Sequence, residues 1–180
     1  MCLIKRYKRW RRRRRDRIYE GPCEDGGTRI RHDTDAPKEI CSRELIRFSC
    51  RFSAYSLQRE ESGLWPGVYS FSASKGEGGV ACTAKCNNPL ALPEGERKFT
   101  GGEDVLIALD ELLREHGVAR YNGSYYKVSG LPDFYGATVD AAYASGETIY
   151  CYNNQDPFLP VELIRALCRL FGVRQEREDA

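Results

Sequence analysis

Residues 44–57, ELIRFSCRFSAYSL, alternate apolar and polar side chains almost without a break. Ile46, Phe48, Cys50, Phe52 and Ala54 fall on one side, with Arg47, Ser49, Arg51 and Ser53 on the other. A period of two over this length is a half-buried strand. Such a strand cannot cover its own apolar face, so it needs paired strands beside it and something amphipathic above one side.

The chain supplies both. GVYSFSASK repeats the alternation with Tyr69, Phe71 and Ala73 against three serines, KGEGG turns, and GVACTAK returns with Val80, Cys82 and Ala84 on one side. With residues 44–57 these segments predict an antiparallel meander. After a Pro-rich loop, NNPLALPEGERKF, the period changes to about 3.6 in GEDVLIALDELLREHG. Val105, Leu106, Leu109, Leu112 and Leu113 form its stripe, acids sit in the first turn, and Gly117 marks its end. The stretch VARYNGSYYKVSGLPDFYG alternates poorly and reads as a loop with at most a short hairpin at Asn122-Gly123. ATVDAAYA and ETIYCYN flank Ser145-Gly146 as a second hairpin, with Val139, Ala141 and Tyr143 on one face of its first strand and Ile149 and Cys151 on one face of its second. PVELIRALCRLFG closes the domain as a helix with Pro160 at its first position, a stripe of Val161, Ile164, Leu167, Cys168 and Phe171, and Gly172 as the stop. The expected fold is α+β, an antiparallel sheet in the order β-β-β-α-β-β-α with two helices on one face and the serine-rich face exposed.

A length of 180 residues suits one such domain. Charge divides it from what precedes. Residues 1–17 hold ten Lys and Arg and one Asp, which leaves 18 basic and 25 acidic side chains for the remainder, so a tail of +9 and a body of −7 make the overall +2. Residues 1–43 lack the large apolar groups needed to offset the entropy of ordering and are expected to be a disordered basic tail. The domain is placed at 44–173, followed by a solvated end at 174–180. No apolar run approaches the roughly 18 residues that cross a bilayer, and Cys2-Leu3-Ile4 is far shorter than a secretory h-region. The expectation is a cytoplasmic protein whose eight cysteines are thiols.

The helix DVLIALDELLREHGV, then GLPDFYGATVDAAYASGETIYCYNN, then the LPVELIRALCRLF helix resemble an uncharacterised domain of lipoproteins from anaerobic gut bacteria. The resemblance covers residues 99–173 and rests on Gly146, the Pro before the last helix and the apolar pattern. It implies a bacterial α+β domain with no assigned activity, and so transfers no functional residue. In those lipoproteins the lipidated cysteine follows an apolar signal, whereas Cys2 opens a basic run.

The remaining motifs have structural explanations. Gly76-Glu77-Gly78-Gly79-Val80-Ala81 fits a dinucleotide fingerprint, but that motif needs a following helix and here a strand follows. Gly101-Gly102-Glu103-Asp104-Val105 resembles a cyclase signature, yet it opens a helix where acids suit the dipole. Cys82 and Cys86 are the only close cysteine pair and have no second pair or nearby His for zinc; Cys50, Cys82, Cys151 and Cys168 fall on apolar faces and read as buried small hydrophobes, with metal or redox use as the alternative. His32 falls in the tail and His116 at a helix end, and helix acids Asp110, Glu111 and Glu115 read as a solvated face. No catalytic constellation, metal site or cofactor site emerges, so the chain is not expected to be an enzyme.

Two surfaces carry binding signals. Lys5, Arg6, Lys8, Arg9, Arg11, Arg12, Arg13, Arg14, Arg15 and Arg17, with Trp10 interleaved, would hold nucleic acid non-specifically through phosphate contacts or adhere to an anionic membrane surface. An upstream extension without function is the other explanation of this run. Tyr121, Tyr125, Tyr126, Tyr135, Tyr150 and Tyr152 make either a face for an unknown protein partner or a cap on the core's edge. The leading expectation is a small non-enzymatic interaction domain of unknown ligand, with a nucleic-acid-associated protein as the alternative.

Overall fold

The alternating segment becomes the middle of a wide sheet. The computed structural model describes residues 28–58, 62–130 and 135–175. Its strands are β1 (Thr28–His32), β2 (Leu45–Ser53), β3 (Val68–Gly76), β4 (Gly79–Cys86), β5 (Glu96–Gly101), β6 (Ser124–Val128), β7 (Ala137–Tyr143) and β8 (Thr148–Asn153). Its helices are α1 (Asp104–Glu115) and α2 (Val161–Leu170), with a short 3-10 turn at Val118–Tyr121. The eight strands of the described residues form one sheet in the order β1-β6-β8-β7-β2-β3-β4-β5.

The α+β class stands, and the finer expectation is corrected. The sheet is mixed, because β6 runs parallel to β8, pairing Tyr125 with Tyr152 and Tyr126 with Asn153. The order is not β-β-β-α-β-β-α, since β1, β5 and β6 are strands the alternation does not announce. β5 begins inside the expected Pro-rich loop, and β6 replaces the expected loop after Asn122-Gly123. The phase of β2 also shifts. A bulge between Leu45 and Arg47 turns Leu45 inward in place of Ile46, while Phe48, Cys50 and Phe52 keep their inward places.

Core-facing side chains of β2, β3, β4, β7 and β8 meet both helices on one face of the sheet. Leu106, Leu109 and Leu113 of α1 and Leu163, Ile164, Leu167 and Cys168 of α2 join Phe48, Phe52, Phe71, Val139 and Ile149 in a single cluster. Phe171 stacks on Phe71 with ring centroids 4.8 Å apart, which fixes the end of α2 over β3. That end is a Schellman motif: Gly172, at φ 66°, donates to the Arg169 carbonyl and Val173 donates to that of Cys168. At the other end Pro160 sits just outside the helix instead of at its first position, and Leu163, not Val161, completes the buried stripe.

The folded unit begins upstream of Glu44. β1 pairs antiparallel with β6, and Ala36 and Ile40 are buried behind it. Arg114 of α1 holds this segment, donating from Nη1 to the Ile40 carbonyl at 2.8 Å and from Nη2 to that of Ser42. The Glu147 carboxylate accepts the backbone N–H groups of Cys41 and Ser42, both at 2.9 Å; these bonds and the Ser145 hydroxyl hold its carboxyl below the usual range. Asn122 and Gly123 form the junction rather than a hairpin tip. The Asn122 amide donates to the carbonyls of Pro37 and Thr148. Gly123 has φ 78°, and a Cβ there would come within 2.6 Å of the Asp33 carbonyl and of Ala36. At the other terminus Gln175 is also buried, donating to the Arg165 carbonyl at 3.1 Å, so the order extends past 173.

Candidate functional site

With both helices on one face, the other face of the sheet carries the side chains that alternation turns outward. Strand register aligns them in rows. One row of Cα partners runs Tyr125, Tyr152, Thr138, Arg51, Ser70, Lys85 and Glu96 across β6, β8, β7, β2, β3, β4 and β5. The next runs Tyr150, Asp140, Ser49, Ser72, Thr83 and Lys98. The middle of the face is thus low, built from serine and threonine, with tyrosines at one side and cations between.

The tyrosines separate by position. Tyr125 and Tyr152 stack with centroids 4.7 Å apart and planes 19° from parallel. That separation matches the strand spacing of about 4.8 Å, so the two rings stand upright on neighbouring strands, each covering one face of the other and with their edges outward. Tyr150 lies two residues from Tyr152 on the same side and is 44% exposed. Tyr126 falls on the helix-bearing side of the sheet, in the row of Ala137 and Phe52, whose side chains are buried. Tyr121 packs against the core, its ring 5.2 Å from that of Phe158, with the Arg120 guanidinium 4.7 Å above it and hydrogen-bonded to its hydroxyl. Tyr135 is 40% exposed at the mouth of β7. The basic run and its Trp10 lie outside the described residues, as does the structure of residues 1–27.

Charge on the open face has the opposite sign to that of the body. Arg47, Arg51, Lys85 and Lys98 face Asp140 and Glu96. Arg47 pairs with Asp140 at 3.1 Å, and Lys85 and Lys98 share Glu96 at 3.0 and 3.3 Å; the Lys85 ammonium draws the Glu96 carboxyl below the usual range. Arg51 makes no ion pair among the described residues. Beside it the strand ends open into a groove of about 800 Å³ lined by Arg51, Tyr55, Val68, Ser70, Lys85, Cys86, Asn87, Gly95 and Tyr135. This groove follows from register between residues far apart in sequence and was not among the sequence expectations.

The cysteines Cys50, Cys82, Cys151 and Cys168 are buried free thiols, as their apolar-face positions predict, and Cys86 is buried with them. Burial pushes the Cys86 thiol up and that of Cys151 to about 12, so both remain protonated and poorly nucleophilic. Gly76–Gly79 is the β3–β4 hairpin turn, and Gly101-Gly102 joins β5 to α1. Among the described residues no three His, Cys, Asp or Glu side chains gather as a metal site, and no helix is long and apolar enough to cross a membrane. Asp110 departs from its expected place on a solvated face: it is 3% exposed, and its carboxylate accepts the Tyr143 hydroxyl at 3.0 Å and Arg114 Nε at 2.8 Å. Comparison with protein-family models, curated proteins and solved structures finds no match for this chain.

Proposed function

We propose that this protein is a non-enzymatic interaction domain that binds a protein partner on the open face of its sheet, at the side bearing Tyr125, Tyr150 and Tyr152. The upright Tyr125–Tyr152 pair carries the reading. Bases stack on the faces of aromatic rings, and each of these two rings gives one face to the other. What the upright pair turns outward is rigid edge and hydroxyl, the contact chemistry that makes tyrosine common in protein interfaces at small entropic cost. The resemblance of residues 99–173 to lipoprotein domains belongs to the same proposal and adds no residue to the face.

The test is differential capture from a lysate of the source cell by wild type, by the Tyr125→Ala/Tyr152→Ala variant and by Tyr150→Ala, followed by titration of the purified captured protein. The expected result is a partner bound by wild type and weakened at least about thirtyfold by both variants at unchanged unfolding midpoint, the size of an interface hot spot. Equal affinity for all three chains overturns the reading.

A second reading rests on the ten basic residues among thirteen at positions 5–17. A polyanion arm binds single-stranded RNA with an affinity that falls steeply between low and physiological salt. Titration of the full chain beside one beginning at Thr28 isolates the arm. Equal binding by the two chains removes this reading.

A further inference from the structure

The groove at the strand ends combines features that the tyrosine side of the face lacks. Its floor is Ser70, flanked in one row by Arg51 on β2 and Lys85 on β4. These two cations stand two strands apart, roughly 10 Å between backbones, with the serine hydroxyl between them. Lys85 is already engaged by Glu96 at 3.0 Å. Arg51 and the Ser70 hydroxyl take no hydrogen-bond partner among the described residues. The rest of the lining is Asn87, Gly95 and an apolar or aromatic set of Val68, Tyr55, Tyr135 and the protonated Cys86 thiol. Tyr55 is 51% exposed, and its hydroxyl lies 3.5 Å from the Asn87 amide nitrogen. Asn87 is itself fixed, accepting the Val68 N–H at 2.7 Å.

A guanidinium without a carboxylate, a hydroxyl beside it and an apolar, ring-lined wall describe a ligand with two parts. We infer that the groove is a binding site for an organic anion, with its carboxylate or phosphate on Arg51 and Ser70 and its planar apolar body against Tyr55 and Tyr135. The planar guanidinium presents paired donors that match either oxyanion. About 800 Å³ falls within the range of small-molecule sites. This site is distinct from the partner face at Tyr125 and Tyr152 and does not depend on it.

Anilinonaphthalene sulfonate, a planar apolar body with one anionic group, is the probe. Titrated into the full chain it is expected to give a saturable fluorescence rise. Arg51→Met, which keeps the aliphatic stem, should weaken it roughly tenfold or more, the loss of one charge-assisted hydrogen-bonded contact, and Tyr135→Ala should weaken it as well. Tyr125→Ala should leave it unchanged. Naphthoate and naphthyl phosphate should compete, and the stronger of the two identifies the natural head group, whereas neutral naphthalenemethanol should compete poorly. Backbone amide shifts of the wild-type chain on adding naphthoate should centre on Ser70 and its row neighbours, a readout that needs no variant. Equal probe affinity in Arg51→Met, equal competition by the neutral alcohol, or amide shifts centred elsewhere overturns the assignment.

Discussion

Asp110 shows how one side chain can hold two parts of a fold in register. Its position on α1 places it among charged neighbours, yet it turns inward to meet the Tyr143 hydroxyl of β7 and the Arg114 guanidinium one turn on. Arg114 then uses its remaining donors on the carbonyls of Ile40 and Ser42. Burial, reinforced by the Asp110 charge, pushes the Tyr143 phenol up, so it stays a donor throughout the ordinary pH range. Replacing Asp110 by Ala leaves a buried hydroxyl and a half-buried cation without their acceptor. The expected loss is about 2–4 kcal/mol in urea unfolding, against roughly 0.5 kcal/mol or less for Glu111→Ala on the exposed side of the same helix. Equal losses at the two positions would show that Asp110 carries no special role.

Among the elements, those that bury a face were legible and those that do not were missed. β2, β3, β4, β7 and β8 alternate because each sends every second side chain into the core, and both helices show a stripe for the same reason. β1, β5 and β6 occupy the two sides of the sheet, where core contact thins out. ERKFTG has no fully buried residue, and SYYKV is half-buried at every position. Their pairing is carried by backbone hydrogen bonds and by register inherited from a neighbour, neither of which leaves a period in the sequence. Asn122-Gly123 misleads for a related reason. The dipeptide does supply the positive φ that a hairpin would use, but here the glycine sits at a junction where its missing Cβ lets the Asp33 carbonyl and Ala36 approach. The candidate site divides in the same way. Tyr150 and Tyr152 could be placed on an outer face from alternation alone, whereas Arg51, Ser70 and Lys85 become neighbours only through the pairing of β2, β3 and β4.

At the scale of the whole molecule the question is where folding must begin. Composition draws the boundary at Glu44, because the preceding Gly, Pro and Asp offer little apolar area. Three observations move it upstream. β1 completes one side of the sheet, Ile40 and Ala36 enter the buried set, and Arg114 with Glu147 binds the backbone of residues 40–42. Removing residues 28–43 would expose β6 as an unprotected edge and strip Arg114 of two acceptors, leaving the core around Phe71, Leu109 and Ile164 in place. A chain beginning at Thr28 should therefore unfold at the same temperature as the full chain. One beginning at Glu44 should fold with a midpoint lower by roughly 2–8 °C, the consequence of losing about one or two kcal/mol in a domain of this size. Calorimetry of the three chains decides between the boundaries: coincident midpoints would return residues 28–43 to the tail, and a drop confined to the shortest chain makes them part of the domain.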